Sequence, residues 1–464
     1  MVSPVPRLPA AWDPALRDFV DQHAAMIHEL ANGFGAPIHL LFPENFMRNA
    51  AAFQRALSEH RVAGRIYYAK KANKARCFAQ AAVEAGMGID VASVGEFGEA
   101  LAAGIRGADI GVSGPAKASE LLRLAVRHGA LIAVDSLDEL SRLIAIGQQS
   151  SRTARLLLRM APASQSSSRF GLEPASLDTA LSLCASNRSV LSLEGFSFHL
   201  SGYGAQARCD QAGVAVRACV SARALDLAPS TINIGGGFAM SYVAADDWAA
   251  FQATHGPRDY HAHKTFDGFY PYHSECSGSR MLEAIVAGIP ERESKSLAEL
   301  LREHGLQFML EPGRALLDQA GFTVFAVLGV KEMGDYGIAT VNGTSFSISE
   351  QWFASEFLPD PELLPAVRMP GEADGAPPGA RAPYRACVGG ASCLDSDMLT
   401  WRKVAFSQRP EIGDLLIYPN TAGYQMDSNE SPFHELPLPP KLVVTLDGAR
   451  PRWRVDRPST LSGA

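Results

Sequence analysis

The run Tyr67-Tyr68-Ala69-Lys70-Lys71-Ala72-Asn73 closes a short apolar stretch with two adjacent lysines. An ammonium is costly to bury, so a lysine held out of water there has a depressed pKa and offers a free amine, a nucleophile toward an aldehyde. A lysine closing a strand can equally be a solvated rim residue. Reactive residue types recur after later apolar runs: Asp90, Arg159, His199, the triplet Gly235-Gly236-Gly237, and Glu311-Pro312-Gly313-Arg314. The successive N–H groups of the triplet suit a phosphate, or the triplet is only a tight turn. Glu311 pairs with a neighbouring arginine, or keeps the ring nitrogen of a cofactor protonated. His199 is a satisfied core histidine, or a ring stacked on a flat cofactor. Arg159 and Asp90 read most simply as a buried ion pair or hydrogen-bonded network in a supporting role. His261 and His263 sit in a polar insertion without nearby cysteines or a third ligand, so no metal site is expected.

These residues need elements that bring them together. From residue 65 to 314, eight short β-rich runs alternate with apolar helical patterns: Ile66–Ala69, Gly88–Ala92, Ala108–Val112, Leu131–Val134, Leu156–Arg159, Gly195–Phe198, Thr231–Ile234 and Gln307–Leu310. Near-continuous apolar strands alternating with helices such as the one from Val94 to Leu101 imply parallel pairing, and eight units imply an α/β fold closed as a (β/α)8 barrel. An open doubly wound sheet would show fewer strands and a Gly-rich turn after the first. In such a barrel the active site lies at the C-terminal strand ends, where Lys71, Asp90, Arg159, His199, the glycine triplet and Glu311–Arg314 fall.

After residue 314 the texture changes to β-rich runs between Gly and Pro turns, notably Phe322–Val327, Leu415–Tyr418 and Lys441–Thr445, which predicts a mainly antiparallel β-domain. Leu16, Phe19, Val20, Met26, Ile27 and Leu30 fall near helical spacing, predicting one amphipathic helix before a strand Ile38–Phe42. The expected organisation is residues 1–45 as a helix and strand joining the β-domain, 46–315 as the barrel and 316–464 as the β-domain. The insertions at about 240–280 and 352–383 are expected to shape the pocket, and Pro370–Pro383, rich in Gly, Pro and Ala, reads as a mobile surface loop.

Bulk properties exclude several classes. With 464 residues the chain exceeds one ordinary core, and 47% hydrophobic with 20% charged residues describes a globular protein. A net charge of −7 without a basic run argues against nucleic acid. Seven scattered cysteines with no Cys-x-x-Cys pair suggest reduced cytoplasmic thiols. No basic segment precedes an apolar run at the N-terminus, and no stretch nears the roughly 18 apolar residues of a membrane span, so neither export nor a membrane is expected.

Taken together, these residues resemble the pyridoxal-phosphate decarboxylases with an alanine-racemase-like barrel, which include diaminopimelate, ornithine and arginine decarboxylases. Tyr68-Ala69-Lys70-Lys71-Ala72-Asn73 resembles the family's Tyr-Ala-x-Lys-Ala-Asn motif, which assigns the Schiff-base lysine to Lys71 and leaves Lys70 as the variable position. Further matches are Asp90-Val91-Ala92-Ser93 with Glu96, Ser168-Arg169-Phe170-Gly171, Phe198-His199, the glycine triplet and Glu311-Pro312-Gly313-Arg314. The resemblance implies pyridoxal phosphate as cofactor and a small-molecule amino-acid substrate. It also implies a β-domain joined by the N-terminal strand and a head-to-tail homodimer with active sites at the interface. Asp90, Arg159, His199, Ser201, Gly235, Gly236, Gly237, Glu311, Gly313, Arg314 and Tyr424 would contact the cofactor. Cys393-Leu394-Asp395-Ser396-Asp397 resembles the Cys-x-x-x-Asp motif supplied by the second subunit, which makes Cys393 a proton donor and Asp397 a substrate or structural contact. Arg314 joins Asp397 as a substrate-binding candidate.

Three departures are visible. Leu394 follows the cysteine where diamino-acid enzymes usually carry an acid. Ala422-Gly423-Tyr424 exchanges the small residues of Gly-Ala-Tyr, and Leu200-Ser201-Gly202 follows His199 where Gly then Ser is usual. The implied reaction is decarboxylation of an amino acid or an amino-acid conjugate, diaminopimelate-like or serving secondary metabolism such as siderophore assembly. Lys71, His199 and Cys393 are its catalytic residues. Racemisation on the same scaffold, or a catalytically silent regulatory paralogue, are the alternatives.

Overall fold

The computed structural model describes residues 5–165, 167–349, 355–366, 383–446 and 450–457. The chain divides into two compact units: Met1–Phe46 with Met240–Glu275 and Leu317–Ala464, and Met47–Ala239 with Cys276–Leu316. The stretch Met240–Glu275, assigned to the barrel on sequence grounds, therefore belongs with the sheet unit. Its rings explain why: Tyr242 packs edge-on against Tyr270, Tyr272 and Phe357, at centroid distances of 5.6, 5.4 and 5.5 Å.

The sheet unit begins with two helices where the apolar spacing suggested one. Asp13 caps Pro14–Gln22 by accepting from the N–H groups of Ala15 (3.1 Å) and Leu16 (3.4 Å), with Pro14 in the first turn. His23 then leaves the helical region (φ −122°, ψ 28°), and a second helix, Ala24–Phe34, ends at Gly35 with φ +69°. The break re-aims the apolar stripe, so that Leu16, Phe19, Val20, Ile27 and Leu30 all remain buried in one core. Strand β1 (Ile38–Leu41) follows.

The other unit is a closed parallel barrel of β2 (Gly64–Ala69), β3 (Gly88–Val91), β4 (Ile110–Val112), β5 (Leu131–Val134), β6 (Ala154–Arg159), β7 (Leu191–Ser197), β8 (Thr231–Asn233) and β9 (Gln307–Leu310). All eight expected strands are present, and β9 pairs back to β2 through Ile66 and Leu310. Tyr67, Leu131, Leu157 and Met309 fill part of the interior. Register decides which side chains share a level at the C-terminal mouth. Ala69 pairs with Asp90 and Asp90 with Gly111; Arg159 pairs with Ser197, Ser197 with Asn233 and Asn233 with Met309.

The sheet unit resumes with β10 (Gly321–Glu332), β11 (Gly337–Val341), β12 (Glu362–Leu364), β13 (Tyr384–Gly389), β14 (Met398–Phe406), β15 (Leu415–Tyr418), β16 (Lys441–Thr445) and β17 (Arg452–Val455). Among the described residues these form a nine-stranded sheet with β1, ordered β14-β13-β11-β10-β1-β16-β17, with β15 on β10 and β12 on β15. Pairing is mainly antiparallel; β1 with β16 and β11 with β13 are parallel. The N-terminal strand thus lies in the interior of the sheet, flanked by β10 and β16. The expected mobile loop Pro370–Pro383 lies, but for Pro383, outside the described residues, as do most of the residues from 352 to 383.

Candidate active site

The lysine motif forms a turn of 3-10 helix, Lys70–Ala72, at the end of β2. The buried hydroxyl of Tyr68 donates to the Asn73 carbonyl (3.0 Å), and the Asn73 side-chain oxygen accepts from the Ala75 N–H (2.9 Å). The tyrosine and asparagine of the motif therefore lock the turn, which accounts for their place in it. Of the two lysines, Lys70 is the buried one, its amine donating to the Lys74 carbonyl at 3.3 Å, and Lys71 is exposed. The expectation of an amine held out of water thus applies to Lys70. A 3-10 turn separates successive side chains by roughly 120°, so Lys71 swings outward, where an entering molecule can reach it.

Asp90 on β3 is buried, with Oδ2 accepting from Ser113 Oγ (2.9 Å) and Oδ1 lacking a hydrogen-bond partner. Burial, reinforced by the Glu311 charge, pushes its pKa well above the usual carboxylate range, against the opposing pull of Lys71. Ser93 and Glu96, of the same motif, cap the following helix: Ser93 Oγ accepts from the Glu96 N–H (3.1 Å), and Glu96 accepts from the Ala92 N–H (2.8 Å). Of the two arrangements expected of Asp90 and Arg159, an ion pair between them is not formed, and each is bonded to a separate partner. Arg159 instead pairs with Asp135 (3.1 Å) and lies over the Phe170 ring (4.4 Å), while Asp135 also accepts from the Gly171 N–H (3.2 Å). The order of strands around the barrel puts Arg159 on β6 beside β5, after which Asp135 follows, and not beside β3. The matched run Ser168–Gly171 thus fixes an arginine. Nothing in its own neighbourhood of sequence marks Asp135.

One amide joins the glycine turn to the carboxylate. Asn233 Nδ2 donates to Glu311 Oε1 (2.6 Å), and its Oδ1 accepts from the Gly235 N–H (2.9 Å); the Glu311 N–H returns to the Gly235 carbonyl (2.9 Å). Gly235 (φ +68°) could carry no side chain, since a Cβ there would stand 2.6 Å from His199 Nδ1. His199 Nδ1 accepts from the Gly236 N–H (3.3 Å), so its proton sits on Nε2. Burial, with the cations of Lys71, Arg159 and Arg208 adding, pushes its pKa down to about 3, so the ring is neutral near pH 7. Behind Glu311, the Pro312 carbonyl accepts from the Ala69 N–H (3.3 Å), and Gly313 and Arg314 are buried as the chain turns away. Ser201 is exposed, with its backbone tied to the Gln165 side chain.

Cys393, Asp397 and Tyr424 belong to the sheet unit. Cys393 is exposed, with Sγ 3.2 Å from His434 Nε2. Asp397 is buried, its two oxygens accepting from the N–H groups of Ser345 (2.7 Å) and Ser392 (3.2 Å), and so it braces the loop that carries the cysteine. Tyr424 takes φ +76°, a strained value for a residue with a Cβ, and its carbonyl accepts from the N–H groups of Asp427 and Ser428. His261 bonds the Tyr336 hydroxyl (2.8 Å).

A family model described as "Pyridoxal-dependent decarboxylase, pyridoxal binding domain" matches residues 44–317. The chain belongs to the pyridoxal-dependent decarboxylases. Among relatives, it is 39% identical over 450 residues to the uncharacterised protein y4yA of Sinorhizobium fredii, covering 95% of this chain and 94% of that protein. The diaminopimelate decarboxylase of Bacillus subtilis is 25% identical over 89% of this chain and 88% of its own. The fold matches the crystal structure of the M. jannaschii diaminopimelate decarboxylase in complex with L-lysine, with a TM-score of 0.71, 18% identity, and 93% and 91% of the two chains covered. Pyridoxal phosphate is the cofactor of this family, and the barrel mouth of this decarboxylase fits it. The mouth offers a reachable amine, a turn into which no side chain would fit, an unpartnered carboxylate oxygen on Asp90, a second carboxylate on Glu311 and a neutral flat ring. Among the described residues, no helix is long and apolar enough to cross a membrane.

Proposed function

We propose that this enzyme removes the α-carboxylate of an amino acid or an amino-acid conjugate as carbon dioxide. The observation that carries the reading is the convergence, at one barrel mouth, of Lys71, Asp90, His199 and Glu311 around the glycine turn. In this reading Lys71 would be the covalent attachment point, the glycine turn, through the Gly237 N–H, would hold the phosphate with Ser201, Arg314 and Tyr424, and Glu311 would face the ring nitrogen, while the Gly235 and Gly236 N–H groups stay bonded to Asn233 and His199 and fix the turn. Bound pyridoxal phosphate supplies an electron-poor ring that takes up the electrons left by departing carbon dioxide. The residues do the rest. Glu311, held by Asn233, keeps a proton on that nitrogen, the neutral His199 ring covers one face, and Cys393 or Lys71 returns a proton to the substrate carbon. Asp397 positions the Cys393 loop.

We further propose a homodimer in which Cys393 serves the partner's site, and a cytoplasmic setting in keeping with the scattered cysteines. Leu394 leaves a large apolar side chain 43% exposed directly beside Cys393. That surface suits the remote end of a conjugated or longer substrate better than a free ammonium. The test is release of carbon dioxide from a panel of diaminopimelate, lysine, ornithine and arginine alongside conjugated amino acids. Gas from at least one member is expected, with conjugates ahead of plain diamino acids. Inversion of configuration without gas would replace decarboxylation by racemisation. A cofactor-supplied protein showing neither would point to a silent paralogue.

A further inference from the structure

Arg208 sits in the first turn of the helix Ala205–Ala222, which follows β7, and its side chain is completely buried. The guanidinium does not reach solvent or a carboxylate. It turns back and donates to four backbone carbonyls: Leu200 (2.9 Å), Gly202 (2.7 Å), Gly204 (3.2 Å) and Gly236 (3.4 Å). The first three belong to the loop after His199, and the fourth is the middle residue of the glycine turn. Burial pushes its pKa down only to about 10, so it keeps its charge at neutral pH. Among the described residues no salt bridge involves it. Arg402, equally buried, shows the usual arrangement, since it pairs with Asp360.

A buried cation without a counter-ion is costly, and carbonyl dipoles offset that cost only in part. The position of Arg208 indicates where the missing negative charge belongs. A Cβ on Gly237 (φ +79°) would collide with the guanidinium, so the cation lies directly against the turn. The guanidinium takes up the carbonyls of Gly236, Gly202 and Leu200, while the N–H groups of Gly235, Gly236 and Ser201 are bonded to Asn233, His199 and Gln165; those of Gly202, Gly204 and Gly237 are the ones that an anion nest would use.

We propose that Arg208 is a positioning residue for phosphate. From behind the glycine turn it orients the 200–204 and 235–237 loops together, and its charge is balanced by the phosphate that their N–H groups receive. This rests on the reading that the turn takes the cofactor phosphate. The test is calorimetric titration of the full-length chain, freed of cofactor, with pyridoxamine 5′-phosphate and with pyridoxamine. Neither carries an aldehyde, so Lys71 forms no bond and the ratio of the two affinities reports phosphate recognition alone.

Arg208→Gln is expected to weaken binding of the phosphorylated compound on the order of tenfold or more while leaving pyridoxamine unchanged. Arg208→Lys, which keeps the charge but cannot bridge four carbonyls, should fall between, and stands in should Arg208→Gln not fold. Equal losses for the two compounds, or no loss for either, would make Arg208 a merely structural residue and overturn the proposal. Wild-type protein that binds both compounds equally would instead sink the phosphate reading beneath it.

Discussion

Asn233 shows how much of a site can hang on one amide. It bonds Glu311 with its nitrogen and the Gly235 N–H with its oxygen, so the carboxylate and the glycine turn are set by the same side chain. Asn233→Ala removes both bonds and leaves buried groups unpaired, at a cost of roughly 1–3 kcal/mol in stability. We expect kcat/KM to fall more than tenfold, with weaker cofactor retention, measured by steady-state kinetics and by cofactor absorbance after dialysis. Asn233→Asp keeps the bond to Gly235 but sets two acceptors face to face, and should be no better. The strand-end positions of His199, Glu311 and the lysine pair were legible in the sequence because amines, imidazoles and carboxylates there are chemically conspicuous, whereas only the family motif pointed to Lys71 over Lys70. Asn233 and Arg208 were not, because each reads as an ordinary member of its strand or helix. Their roles exist only once the chain has closed.

Strand β1 carries a fully buried histidine. His39 is fully buried, its Nδ1 bonded to Thr323 Oγ1 (2.9 Å) and its Nε2 without a partner, and burial lowers its pKa to about 3. Its unfolded pKa is near 6.5, so the unfolded state binds the proton more readily. Stability is therefore intact above about pH 6.5 and is lost as pH falls toward 3, by up to about 1.4 kcal/mol per pH unit. Urea titrations at pH 7, 6 and 5 should show this slope added to the one from His199, whose pKa is lowered equally, and His39→Gln should remove the His39 share; an unchanged slope would assign the acid sensitivity elsewhere. At this scale the alternation of apolar runs announced all eight barrel strands. The break at His23 was hidden, because spacing alone reads Leu16 to Leu30 as one stripe and cannot register a single residue leaving the helical region.

For the whole molecule, two units were legible from the change in texture after residue 314, but the assignment of Met240–Glu275 was not. That stretch lies between barrel strands in sequence and joins the sheet unit through aromatic contacts that no local pattern reveals. The proposed shared active site has a clean test in mixed subunits. Lys71→Ala is expected to inactivate every site it reaches, and Cys393→Ser to do so if Cys393 is the proton donor; mixing two such inactive proteins should restore up to about a quarter of the wild-type rate if each site draws on both subunits of a twofold dimer. Mixtures that remain inactive would confine each site to one chain.

The placement of β1 also bears on biosynthesis. Its neighbours β10 and β16 begin at Gly321 and Lys441, whereas β1 itself is finished at Leu41. A ribosome adding roughly 5–20 residues per second delivers the second of these neighbours about 20–80 s after β1 has emerged. Until Gly321 is made the strand has neither neighbour, and the last barrel strand, ending at Leu310, is finished before that; from β10 until Lys441 it has only one neighbour. The nascent chain therefore carries its first strand without a sheet neighbour while the whole barrel is being made, and that strand is where a holding chaperone would be needed.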